Sequence, residues 1–223
     1  MTIFLKYLSM LLLAAPEPKI IMESDPTLLV TTVNVVVQSG ASDDPVNKVG
    51  VSNLLAELML RGTRQRDRAK FQQELEKMGA TLNASATHDG IVIDGKVIKE
   101  NTDRFLALLT EAMIGPAFSA KEFAALKKEV TAEILHQKNA NKRLGGLLLR
   151  KGVVAGTQLK YPVAGGLSTI KAITLKDVVK AYNEKFHRGN MVFGVATAAP
   201  ADKIKNTFKA AWLKLPEGVK KEK

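Results

Sequence analysis

The chain has 223 residues, 46% of them hydrophobic and none of them cysteine. This supports a sizeable folded core, makes disorder a poor reading, and excludes disulfides and thiolate metal sites. The formal net charge of +11 could draw nucleic acid, anionic lipid or acidic polypeptide. The lysines are scattered, however, with local clusters only in 61–70 and 219–223, and no RNA- or DNA-binding signature accompanies them. The charge therefore reads as solvated surface, and nucleic acid is not an expected partner.

At the N-terminus Lys6 precedes the apolar run Leu8–Ala15, which reads either as a short signal-peptide pattern over residues 1–19, in which case the chain is periplasmic or secreted, or as a leading strand or misplaced start, in which case the compartment is unknown. The run is too short to span a bilayer, so no integral membrane segment is expected. Lys19–Glu23 is a short apolar segment ending at the turn signal Ser24-Asp25-Pro26. Leu28–Gln38, rich in Val and Thr, reads as a buried strand, and Ser39–Pro45 as a loop.

Helical periodicity begins near Asn47. Val51, Leu54, Leu55, Leu58 and Met59 share one face, and Gly62 stops the helix. Arg68–Met78 is a second amphipathic helix closed by Gly79. Ala80–Thr87 and Ile91–Ile98 alternate around His88-Asp89-Gly90, a hairpin signal. Asn101–Ile114 is a helix ending before Pro116. Ser119 and Glu122 form a capping-box pattern for a long helix to about Asn139, and Gly145-Gly146 interrupts the next stretch. Thr174 and Asp177 cap a helix to Phe186, Met191–Thr197 is a strand, and Pro200–Leu213 is a last helix before a charged tail. A hairpin amid grouped helices predicts an α+β fold, an antiparallel sheet packed against several helices, rather than a doubly wound sheet. One domain over residues 20–215 is the simplest division, with 216–223 a charged tail or the start of a linker.

Five segments in order resemble the first domain of the insulinase-like (pitrilysin-type, M16) zinc peptidases. Gly50–Thr63 resembles the segment G-L-A-H-x-L-E-H-M-L-F-K-G-T. Gly79–Ala86 resembles G-x-x-x-N-A-x-T, through Asn83-Ala84. Lys128–Ile134 resembles the helix that delivers the third zinc ligand. Ile173–Asp177 and Phe186–Met191 resemble I-T-x-x-D-L and Y-x-P-x-N-M. In that family, two His at i and i+4 of H-x-x-E-H bind zinc from one helical face. The intervening Glu is general base to a zinc-bound water, and a later Glu completes the ligands.

Carried over residue by residue, the first His position is Asn53, the base position Ala56 and the second His position Glu57. The third ligand is retained as Glu133, 76 residues after Glu57. An amide is a poor zinc ligand and a methyl group accepts no proton, so the resemblance implies a degenerate motif with no catalytic residues, no metal and no zinc cofactor. Two salvage readings stand beside it. Asn53, Glu57 and Glu133 are oxygen donors suited to Ca²⁺ or Mg²⁺, and His136, one turn from Glu133, could help rescue a zinc site.

The family also holds substrate as an added strand along a sheet edge, here Leu82, Asn83, Ala84 and Ser85. The expected partners are then a catalytic homologue or a second domain of the same polypeptide, and an extended peptide. Two rival functions remain: a purely structural scaffold or assembly subunit, and an active peptidase with non-standard metal ligands.

Overall fold

A computed structural model describes residues 17–138 and 152–218, with Gly145, Gly146 and Leu149 between them. The leader reading falls almost wholly on residues 1–16, outside the described part. Among the described residues, five strands form one sheet: β1 (Lys19–Ser24), β2 (Val30–Val37), β3 (Thr81–Ala86), β4 (Ile91–Ile98) and β5 (Met191–Thr197), in the spatial order β1-β5-β2-β4-β3. The helices are α1 (Val51–Met59), α2 (Arg68–Lys77), α3 (Thr102–Ile114), α4 (Ala120–Lys138), α5 (Leu167–Ala172), α6 (Leu175–Lys185) and α7 (Ala201–Leu213). The architecture is α+β, and three of the four strand pairs are antiparallel. The exception is β1, which lies parallel to β5 with Ile21 opposite Gly194, so the sheet is mixed. Parallel neighbours require a long crossover, and nearly the whole chain separates these two strands.

The period-2 pattern of the strands decides which face is covered. Val33, Val35 and Val37 of β2, Ile91, Ile93 and Val97 of β4, and Met191, Phe193 and Val195 of β5 are all buried and join the helices in one core. Phe193 meets Phe208 of α7 at 4.8 Å between ring centroids. At the same face Gly95 leaves room for Phe105 of α3, whose Cζ would lie 2.4 Å from any Cβ placed there. Thr31 is the one polar residue of β2 on this face, and its hydroxyl is matched to Thr102 at 2.8 Å and Thr197 at 2.7 Å, as burial of a hydroxyl demands.

A buried polar network fixes the start of α1. Gly50 takes φ 103°, a left-handed conformation, with Ala164 O only 2.8 Å from where a Cβ would sit. The Asp44 carboxylate accepts from Gly50 N at 3.0 Å, Ser52 N at 3.2 Å and Ser52 Oγ at 2.5 Å. It thus satisfies first-turn amides that α1 leaves without helical partners. Lys185 of α6, also buried, donates to Gly40 O at 3.0 Å and Ser39 Oγ at 3.1 Å, and lies 3.6 Å from Asp44.

Some boundaries differ from the sequence expectation. Residues 46–48 form a short 3-10 turn, so α1 begins at Val51 rather than near Asn47. The loop 39–45 contains a similar turn at Ala41–Asp43. The six-residue α5 carries too little periodicity to predict. No helix among the described residues is long and apolar enough to cross a membrane.

Candidate functional site

α1 buries Val51, Leu54, Leu55, Leu58 and Met59, which turns Asn53 and Glu57 together to its half-buried side. Asn53 donates from Nδ2 to Glu57 Oε1 at 2.8 Å. Ala56, by contrast, is fully buried, with its methyl group in the packed interior. Glu133 lies exposed on α4, near enough that its charge acts on Glu57. The structure therefore sets Asn53 against Glu57, with Glu133 close enough to act on Glu57 by charge, and leaves Ala56 in the core.

Burial pushes the Glu57 carboxyl above the usual carboxylate range. The Asn53 amide and the Arg61 guanidinium pull it down, and the charges of Glu133 and Glu129 push it further up. Arg61, only 10% exposed, donates to both oxygens of Glu129, at 3.0 and 2.5 Å, a bidentate pairing that fixes a planar guanidinium. Glu122 lies 4.0 Å from Arg61 and accepts from Arg68 at 3.2 Å.

Sequence reasoning misses this ring of arginines and glutamates around Glu57. The 61–70 cluster is legible as charge, but its partners, Glu122 and Glu129, sit in the first and third turns of a helix more than 50 residues away. Glu122, which the sequence pairs with Ser119 in a capping box, faces these arginines.

The donor set does not fit a catalytic zinc. Asn53 turns an N–H, not a lone pair, toward Glu57. The fixed positive charge of Arg61 stands beside the only carboxylate of the helix. Among the described residues no group of three or more His, Cys, Asp or Glu is placed to hold a metal ion. The three histidines lie apart. His136 is exposed on α4, His88 Nε2 meets Tyr161 O at 3.1 Å, and the His187 ring lies against Gly218.

Among the described residues β3 forms one edge of the sheet and pairs only with β4. Leu82, Ala84 and Ala86 turn toward the core beside α1, while Thr81, Asn83 and Ser85 point to solvent. Asn83 Nδ2 donates to Asp94 Oδ2 at 3.3 Å across the β3–β4 pair. Among the described residues one backbone edge of β3 thus pairs with no strand, and β3 itself packs beside the helix that carries Asn53 and Glu57.

Comparison with known proteins shows the family of this fold. The model of the family described as insulinase, peptidase family M16, matches residues 19–166. An uncharacterized zinc protease of Rickettsia felis is 22% identical over 188 residues, covering 84% of this chain and 46% of the relative. A protein named non-peptidase homolog YmxG, from Helicobacter pylori, is 23% identical over 199 residues, covering 89% of this chain and 46% of the relative. Among solved structures, a peptidase M16 inactive domain from Pseudomonas fluorescens superposes with a TM-score of 0.87 at 21% identity, covering 94% of this chain and 51% of that one. The chain thus spans a little under half the length of the curated relatives it matches.

Proposed function

The chain belongs to the insulinase family of peptidases, M16, and from that premise we propose that it is a non-catalytic member that pairs with a catalytic homologous domain and helps hold extended polypeptide. One observation carries the loss of catalysis: the Asn53–Glu57 hydrogen bond occupies the two imidazole positions, while the base position is the buried methyl of Ala56. No group on α1 can then take a proton from water in the family's manner. The similarity to a protein named as a non-peptidase homolog and to an inactive M16 domain supports this reading.

Peptide holding rests on the edge of β3 that pairs with no strand among the described residues. Main-chain hydrogen bonds to an edge strand give affinity with little demand on sequence, and they survive the loss of a metal site. The wall beside that edge presents a carboxyl and an amide, Glu57 and Asn53, in place of a reacting centre. Residues 20–215 act in this reading as one unit.

Two measurements test it. Metal analysis of the purified chain is expected to find no stoichiometric zinc, and one tightly held zinc per chain sinks the proposal. Titration with an unfolded peptide is expected to show binding that Asn83→Trp weakens. Binding unchanged by that substitution removes the β3 edge, and no binding at all favours a pure scaffold.

A further inference from the structure

α4 buries Leu126, Val130 and Ile134, which sets Lys127 at the margin of its buried face. From there Lys127 Nζ donates to Lys171 O at 3.1 Å and to Ile173 O at 2.7 Å, at the end of α5. Lys48 Nζ donates to the carbonyl between them, Ala172 O, at 2.6 Å. Three successive carbonyls thus gather two lysine nitrogens. Last-turn carbonyls lack helical partners, and lysines are common donors to them.

The two lysines are not equivalent. Lys48 also meets the Asp177 carboxylate at 2.8 Å. Among the described residues Lys127 meets the two carbonyls and the Phe123 ring, whose centroid lies 5.4 Å from Nζ. An ammonium carries three N–H donors, and a neutral amine carries two. The two carbonyls are therefore satisfied by the neutral amine, and its lone pair is left unengaged. Burial holds the Lys127 amine below the usual lysine range, the charge of Lys48 adds to this, and Asp177 opposes both.

Lys185 is also held down, chiefly by burial. It is only 5% exposed, however, and is committed to Gly40 O, Ser39 Oγ and Asp44, which puts it out of reach of a solute. Lys127 is half-buried, so its nitrogen is partly desolvated and still accessible.

We propose that Lys127 is an acyl-acceptor site of this chain, taking a small acyl group from an activated donor of the acyl-phosphate class. The Nζ lone pair forms a bond to the acyl carbon. The bond from that carbon to the phosphate oxygen breaks, phosphate leaves with the electron pair, and the nitrogen gives one proton to water. Nothing is oxidised or reduced. Desolvation and a neighbouring cation are the recognised means of making a lysine nucleophilic, and lysine is a common target of acylation. The product has lost its charge and keeps a single N–H, so one of the two carbonyls at the end of α5 loses its donor. The site uses neither Asn53, Glu57 nor the β3 edge, and it stands independently of peptide holding.

Lys128 is the natural control, being the next residue of the same helix and exposed. Cleavage after glutamate releases residues 123–129, which carry both lysines and no other. The whole chain is treated with acetyl phosphate between pH 7 and about 10, a range that brackets ordinary lysine titration. It is then quenched and unfolded, and the remaining amines are blocked with deuterated acetic anhydride. Fragment masses then give the occupancy of each lysine.

Lys127 is expected to be acetylated at least about threefold faster than Lys128 at pH 8, against the order of their exposure. Its rate should also level off at a lower pH than that of Lys128. In urea the two should react alike. Reaction at Lys127 that is equal to or slower than at Lys128 in the folded chain overturns the proposal. A preference that persists in urea overturns it as well, because it would belong to the local sequence and not to the site.

Discussion

Asn53 and Glu57 hold each other across one turn of α1, amide to carboxylate at 2.8 Å. The resemblance puts two imidazoles at these same positions. The exchange converts a pair that would share a metal into a pair that satisfies itself. It also leaves a half-buried carboxyl under tension from Glu133 and Glu129 and relieved by Arg61.

That tension has a pH signature. The folded-state pKa of Glu57 is raised, chiefly by burial, so the folded protein holds this proton more tightly than the unfolded chain. Stability then falls as pH rises from the ordinary carboxyl range through the raised value, and the penalty is complete above that value. Glu57→Gln keeps an acceptor for Asn53 and removes the charge. It is expected to raise Tm at pH 7, with the gain shrinking to nothing as the pH drops below about 4. Thermal melts across pH 4–8 check this, and a Tm at pH 7 below that of the parent chain rejects it.

Restoring the motif should expose the same asymmetry. Asn53→His and Glu57→His alter half-buried positions and are expected to cost less than about 1.5 kcal/mol each. Ala56 is fully buried, so Ala56→Glu forces a carboxyl into the packed interior and is expected to cost about 2 kcal/mol or more. In the triple variant added zinc should recover stability, because an ion that binds only the folded form raises its Tm by linkage. Urea unfolding with and without zinc measures both. A triple variant indifferent to zinc would show that the frame of the site, and not only its three side chains, has changed.

The sequence makes the local parts of this picture legible. Apolar spacing marks α1, the hairpin signal marks β3 and β4, and Thr174 with Asp177 marks the start of α6. Each of these depends on residues within a few positions of one another. The hidden parts depend on distant pairs. The parallel lie of β1 on β5 joins the two ends of the described chain, Arg61 finds Glu129, and Lys185 reaches Asp44. Nothing near Lys185 distinguishes it from the exposed lysines of the same helix. Phe118, at φ 46°, is equally silent in sequence. A bulky side chain rarely adopts that conformation, and here its ring packs on Tyr182 at 5.3 Å.

The cap of α6 carries a second titration, of opposite sign. Asp177 accepts from Thr174 N and Oγ1 at 2.7 Å each and from Lys48 Nζ at 2.8 Å. The Lys48 hydrogen bond, followed by those from Thr174, holds its carboxyl down at about 2. A depressed carboxyl stabilises the fold above its unfolded value near 3.8 and loses that contribution as pH falls toward 2. Asp177→Asn should therefore cost about 1 kcal/mol at pH 7, the usual worth of such a cap. The difference from the parent should narrow steadily below pH 4. Parallel denaturation curves at pH 7, 4 and 2.5 decide it, and a gap that widens on acidification contradicts the assignment.

The Asp44–Lys185 pair is the most consequential device for the candidate site, because it sets where α1 begins. Burial pushes the Asp44 carboxyl up and the Lys185 ammonium down, so each group is tolerated inside the protein through its partners. Removing one partner leaves the other charge buried, at a typical cost of about 3–5 kcal/mol. Lys185→Met should approach the lower end of that range, since Gly50 and Ser52 still donate to Asp44. Asp44→Asn retains an acceptor for those amides but strands the ammonium. The double variant should be less destabilised than the sum of the singles by at least about 1 kcal/mol. Hydrogen exchange adds the link to the site: the amides of Val51–Leu55 should lose protection in Asp44→Asn while those of α7 do not. Additive costs, or uniform loss of protection across both helices, would show that the pair stabilises the fold as a whole and does not position α1.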